Sequence, residues 1–164
     1  MIGMVDVPNS LNQAIKDAGQ RYHRLVLLIG ASGAGKTDLL RSLAGSEGYA
    51  YLNVNLHLSQ RMVELTKAQR ARQADRLMEE LIGSQATGVV ILDNLEMLFD
   101  PALKLDPLKL LQGVSRNRTI VASWNGSYGE GTLTYAQPDH PEYRSYREID
   151  AITVPLKTNE AAQT

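Results

Sequence analysis

The 164-residue chain contains no cysteine, which excludes disulfide scaffolds, zinc–thiolate sites, iron–sulfur clusters and cysteine nucleophiles. Its three histidines, His23, His57 and His140, lack the close spacing that metal sites usually show. Neither sign of charge dominates: 17 Lys and Arg stand against 18 Asp and Glu, a formal net charge of -1. No global basic field therefore marks a nucleic-acid binder, and any such contact is local. The longest apolar run, Leu25 to Ile29, is far too short to span a bilayer, and the N-terminus lacks a basic-then-apolar signal pattern. A cytoplasmic protein with no membrane partner is expected. What remains, 43% hydrophobic and 21% charged residues, reads as one globular domain over residues 1–156, with 157–164 as a flexible tail.

Along the chain, apolar runs alternate with helical periodicity. Ser10 or Asn9 caps a short helix to Ala18. Strands are expected at Arg24–Ile29, Tyr49–Val54, Gly88–Asp93, Thr119–Ser123 and Ile149–Val154. A helix from Gly35 to Ala44 stops at Gly45, and short helical pieces fall at Leu95–Phe99 and Pro107–Gln112. A long helix is predicted from about Leu58 to Ile82, with only alanines at its middle and Arg70, Arg72 and Arg76 among its basic residues. Its weak apolar stripe suggests a segment projecting from the core; it reads either as a solvated face or as a local, salt-sensitive DNA contact. A hairpin near Thr132–Tyr135 and a short helix near Glu142–Arg147 complete the pattern. Alternating strands and helices predict an α/β fold, with a mainly parallel five-stranded sheet between two helical layers.

Gly30-Ala31-Ser32-Gly33-Ala34-Gly35-Lys36-Thr37 matches G-x-x-x-x-G-K-[ST] and lies between a predicted strand and a predicted helix. The glycines let the backbone aim N–H groups at phosphate oxygens, and the helix beginning at Lys36, Thr37 and Asp38 adds the positive end of its dipole. Lys36 is suited to reach the β- and γ-phosphates, and Thr37 to hold Mg²⁺. Asp93, ending the apolar strand Val89–Asp93, is the second metal candidate. Its spacing from Thr37 suggests that the Thr119–Ser123 strand inserts between the Gly30 and Asp93 strands. ATP with Mg²⁺ is the expected ligand; the guanine-reading motif Asn-Lys-x-Asp does not occur.

The pattern resembles that of additional-strand ATPases, including AAA+ proteins, and departs from it after Asp93. Where those proteins commonly carry a Glu that polarises the attacking water, this chain has Asn94, which cannot accept a proton. Glu96, one helical turn on, reads either as a substitute base or as a first-turn charge. Asn125, or Ser123 before it, fits a polar γ-phosphate sensor; the bland reading of Asn125 is a turn former before Gly126. Arg144 and Arg147 fall where AAA+ rings place an arginine that reaches a neighbouring subunit's nucleotide, and each also reads as a solvated charge. No helical lid is expected after Val154. A slow ATPase assembling with ATP into homo-oligomers is expected, with a non-hydrolysing adaptor as the alternative and a small-molecule kinase as a third reading.

The Leu28–Thr37 string followed by Ile91-Leu-Asp-Asn-Leu-Glu-Met-Leu-Phe99 resembles BrxF, a family of small P-loop proteins from type 3 BREX phage-exclusion systems. That resemblance implies a bacterial defence protein acting on phage DNA with other BREX-type proteins, among them a methyltransferase, a PglZ-like protein and further ATPases.

Overall fold

Because the strand segments are apolar on both faces, they need cover on both sides, and the chain supplies it by alternating strands with helices. The computed structural model describes residues 3–156. Its strands are β1 (Leu25–Gly30), β2 (Ala50–Asn53), β3 (Val89–Asp93), β4 (Thr119–Gly129), β5 (Thr132–Tyr135), β6 (Arg144–Arg147) and β7 (Ile152–Pro155). Its helices are α1 (Gly3–Ala18), α2 (Lys36–Glu47), α3 (Val54–Met62), α4 (Lys67–Gly83) and α5 (Pro107–Val114), with 3-10 turns at Glu96–Phe99 and Pro101–Leu103.

The main sheet runs β2-β3-β4-β1-β7, and every neighbouring pair in it is parallel. As expected, the strand beginning at Thr119 lies between the Gly30 and Asp93 strands. Strand alternation divides the core. Leu25, Leu27, Ile29, Leu92 and Trp124 face α3, α4 and α5, whereas Val26, Leu28, Ile91 and Val121 face α1 and α2. All six residues of β1 are buried, consistent with its central place. Among the described residues, no helix is long and apolar enough to cross a membrane.

Several local expectations need correction. Residues 58–82 do not form one helix: α3 ends at Met62 and α4 starts at Lys67, where Thr66 and Gln69 form a reciprocal capping box. The signal was present, since Thr66-x-x-Gln69 is the capping-box spacing that starts a helix. Of the three alanines at the middle of α4, Ala74 is buried, Ala71 half-buried and Ala68 exposed, and the end of the helix is held in the core by Leu77, Met78, Leu81 and Ile82. Helix α1 begins at Gly3, before the expected cap at Asn9 or Ser10, and carries Pro8 inside it. Helix α2 runs through Gly45 to a left-handed cap at Gly48, whose N–H bonds Ala44 O. The helix expected near Glu142–Arg147 is instead β6, paired antiparallel with β5. The fourth strand extends past Ser123 to Gly129. The tail at 157–164 lies outside the described residues.

The extension of β4 carries a small antiparallel sheet formed with β5 and β6. Trp124 anchors it: the indole Nε1 donates to Thr134 O at 2.9 Å, and the ring packs edge-on against Phe99, Tyr135 and Tyr146. Gly126 must be glycine for steric reasons, because a Cβ there would sit 1.8 Å from Thr134 O. Arg118 ties the other end of β4 to the close of α4, donating to Gln85 O, Thr87 O and Gly83 O. We predict that Gly126→Ala costs about 3 kcal/mol through enforced backbone displacement, read as a lower urea midpoint. An unchanged midpoint would mean that the β4–β5 pairing is not held in this register.

Candidate phosphate-binding cleft

The loop after β1 bends where its glycines permit it. Gly33 and Gly35 have φ of 83° and 100°, in the left-handed region that side chains rarely adopt,. Gly35 is also the N-cap of α2 and offers no side-chain cap. The free N–H groups of the first turn and the positive helix end are therefore available to an anion. A cleft of about 280 Å³ opens here at the carboxyl ends of the parallel strands, lined by Ser32, Gly33, Gly35, Lys36, Thr37, Asp38, Asp93, Asn94, Glu96, Ser123 and Asn125. Gly30 ends β1 beneath it, while Ala31 and Ala34 close a tight turn through an Ala34 N–H to Ala31 O bond.

Lys36 is buried and folds back on its own loop, its Nζ donating to Gly30 O at 2.8 Å and Ala31 O at 2.7 Å. Loss of hydration pushes its pKa below the usual lysine value, against the pull of Asp93 and Glu96. Asp93 is 3% exposed. Burial alone would raise its pKa, but hydrogen bonds from Tyr51, Thr37, Ser123 and the Asn94 N–H overcome that and hold the carboxyl below its ordinary value. Thr37 Oγ1 donates to Asp93 Oδ2 at 2.7 Å. With its proton committed, the hydroxyl keeps its lone pairs for a cation. A hydroxyl beside a carboxylate is a hard-oxygen pair of the kind Mg²⁺ prefers, so these residues fit that ion, and the glycine loop with Lys36 fits the phosphates.

Glu96 opens the first 3-10 turn and is held at both oxygens: Asn55 Nδ2 donates to Oε1 at 2.7 Å and Asn125 Nδ2 to Oε2 at 2.8 Å. Asn55 also accepts the Met97 N–H through Oδ1 and donates its backbone N–H to Asn94 O. It thereby fixes the whole turn after β3. Asn94 sits in that turn at φ 54°, a conformation asparagine tolerates better than most side chains.

Lys36, Thr37, Asp38, Asp93, Asn94, Glu96 and Asn125 are thus brought together, with Ser123 alongside Asn125. Arg144 and Arg147 are not; both lie on β6, the outer strand of the antiparallel extension. Of the three arginines on α4, Arg72 and Arg76 are exposed and stand four residues apart, on one face of the helix,. Arg70 is half-buried, its Nε bonded to Leu65 O; Arg76 pairs with Glu80 and bonds Gln73. Tyr51 and Asn55 were not singled out as functional residues. For Asn55 a usable signal exists, since a polar residue, Asn53, closes the strand that precedes it, beside the Asp93 strand. Tyr51 gave none, since its contact depends on the β2–β3 register.

No family model matches the chain, and no curated protein matches it. Among solved structures, a chain from the Drosophila ORC bound to DNA shares 20% identity over 94% of this chain with a TM-score of 0.48. C. elegans PCH-2 shares 16% over 98% with a TM-score of 0.44. This chain spans 43% of the first and 44% of the second, less than half the length of either.

Proposed function

We propose that this chain is an AAA+-like P-loop NTPase that binds ATP with Mg²⁺ and hydrolyses it slowly, serving as a motor or switch subunit in a BREX-type anti-phage complex acting on DNA. The observation that carries the nucleotide reading is the convergence, in one cleft, of the glycine loop, buried Lys36, the Thr37–Asp93 pair, Glu96 and Asn125. The strand order β2-β3-β4-β1-β7 supports the additional-strand assignment. The defence role rests on the sequence resemblance to BrxF.

The residues divide the work by position. To reach phosphate, Lys36 exchanges the Gly30 and Ala31 carbonyls for charged oxygens, which are stronger acceptors. Bound beside Thr37 and Asp93, Mg²⁺ would neutralise charge across the β- and γ-phosphates. Asn125, next to the loop, is placed to donate to a γ-phosphate oxygen once released from Glu96. Glu96 can accept a proton from water only after giving up at least one amide partner, which supports a low basal rate. The doubly held Glu96 together with Asn94 favours a second reading, an adaptor that binds ATP without hydrolysing it.

A second cavity of about 750 Å³ shares Ser32, Glu96 and Asn125 with the cleft; its other lining residues include Glu142, His140 and Tyr143 but no Lys or Arg. An acidic recess beside the γ-phosphate side suits a cationic side chain from another copy, the role that Arg144 or Arg147 would fill in trans. DNA contact, if made through α4, rests on Arg72 and Arg76.

Three outcomes test these readings. Lys36→Ala and Thr37→Ala should each weaken ATP–Mg²⁺ binding by about 10- to 100-fold, the worth of a charged contact, with Thr37→Ala also lowering the thermal midpoint because Asp93 loses a donor; calorimetry showing unchanged affinity for Lys36→Ala would overturn the cleft assignment. Glu96→Gln should lower phosphate release by on the order of 100-fold if Glu96 is the base, with ATP affinity retained. Equal rates in parent and Glu96→Gln, alongside an inactive Asp93→Ala, would return Glu96 to a structural role. Light scattering at micromolar protein should show a larger mass with ATP and Mg²⁺ than without; a constant monomer would favour the adaptor.

A further inference from the structure

Tyr51 lies on the edge strand β2, two residues before Asn53, which is in register with Asp93. Side chains two apart on a strand share a face, and Tyr51 packs with the α1–α2 core. From there its hydroxyl donates to Asp93 Oδ2 at 2.6 Å, the same oxygen that accepts Thr37 Oγ1. The Arg41 guanidinium, one turn after Thr37 on α2, lies 5.2 Å from the Tyr51 ring centroid. The contacts therefore close a loop: from Thr37 on α2 to Asp93 on β3, to Tyr51 on β2, and back to Arg41 on α2.

We infer that Tyr51 is a positioning residue for the metal site, a role that rests on the nucleotide reading above. Oδ2 has two in-plane lone-pair directions. With Thr37 on one and Tyr51 on the other, Oδ2 is saturated and the carboxylate cannot rotate without breaking a charge-assisted bond. Two consequences follow for a cation entering the cleft. The Thr37 hydroxyl keeps its proton aimed at Asp93, so its lone pairs stay turned outward. Oδ1 accepts the Asn94 N–H at 3.0 Å and has the weaker Ser123 contact beside it; it is the less committed oxygen, the one to engage a cation's hydration shell. Without the tyrosine hydroxyl, Asp93 gains rotational freedom and the Thr37 proton loses its fixed acceptor. Partners that orient a metal ligand through a hydrogen bond act in this way without touching the metal.

Tyr51→Phe is the fitting variant because it keeps the ring, its burial and the stacking of Arg41 over it, and removes only the hydroxyl with its hydrogen bonds to Asp93 and Arg41. Binding of a fluorescent ribose-labelled ATP, titrated with Mg²⁺ and separately measured in excess EDTA, reads the two contributions apart. We expect the Mg²⁺ concentration for half the metal-dependent gain in affinity to rise on the order of tenfold, with affinity in EDTA within about twofold of the parent. The thermal midpoint of the nucleotide-free protein completes the test, since loss of general structure would lower it and weaken both affinities together; that pattern overturns the positioning role. An unshifted Mg²⁺ midpoint in Tyr51→Phe, with a parent that binds ATP normally, overturns it too and leaves the nucleotide reading standing. A parent that binds no ATP with or without Mg²⁺ removes both.

Discussion

A carboxylate sealed at the end of a strand costs several kcal/mol unless donors replace its water, and Asp93 draws those donors from four different parts of the chain. Thr37 comes from α2, Tyr51 from β2, Ser123 from β4, and the Asn94 N–H from the turn that follows. For all four to meet one side chain, three strands must be in correct register and α2 must start at the right height above them. Burial of the charge thus selects for the arrangement of the whole carboxyl edge. Among the described residues no buried side-chain nitrogen or oxygen lacks a partner, so the side chains of this edge are satisfied among themselves, and the open donors are the backbone N–H groups at the start of α2.

The charge balance of the cleft explains why nucleotide and cation belong together under the ATP reading. Asp38, Asp93 and Glu96 line it against a single Lys36. A bare polyphosphate would meet three carboxylates with one ammonium and the α2 dipole to favour it, a poor exchange at such short range. A divalent cation held by Thr37 and Asp93 would supply positive charge that offsets this repulsion. Glu96 is restrained by amides rather than by a cation, so its charge remains available, but its geometry is committed until Asn55 or Asn125 lets go. The turn conformation of Asn94 adds a second restraint, because a glutamate at φ 54° would bear a cost of about 1 kcal/mol.

Much of this was legible in the sequence wherever one local signal sufficed. The glycine loop marked its own position between β1 and α2, and apolar runs bounded by turn residues marked β1, β2 and β3 within a residue, whereas β7 starts at Ile152 rather than Ile149 and β4 runs on past Ser123 to Gly129. Failures came where distant contacts decide. Residues 142–147 have no strong strand pattern of their own, and Arg144–Arg147 is extended because β5 offers a partner edge. The stretch 58–82 looked like one helix because both halves are periodic; only the capping box at Thr66 breaks it. Asp93 and Lys36 could be named from spacing, whereas Tyr51 and Asn55 reach the site through pairing of β2 with β3, which no short stretch of sequence encodes.

Strand β4 belongs to two sheets at once, parallel with β1 and β3 below and antiparallel with β5 above, and Asn125 sits at the junction. One continuous backbone therefore joins the outer hairpin to the cleft, and Trp124, packed edge-on against Phe99, Tyr135 and Tyr146, holds the crossing point between the two sheets. The amide that grips Glu96 lies one residue beyond it, so the hairpin and the carboxylate share a single covalent support.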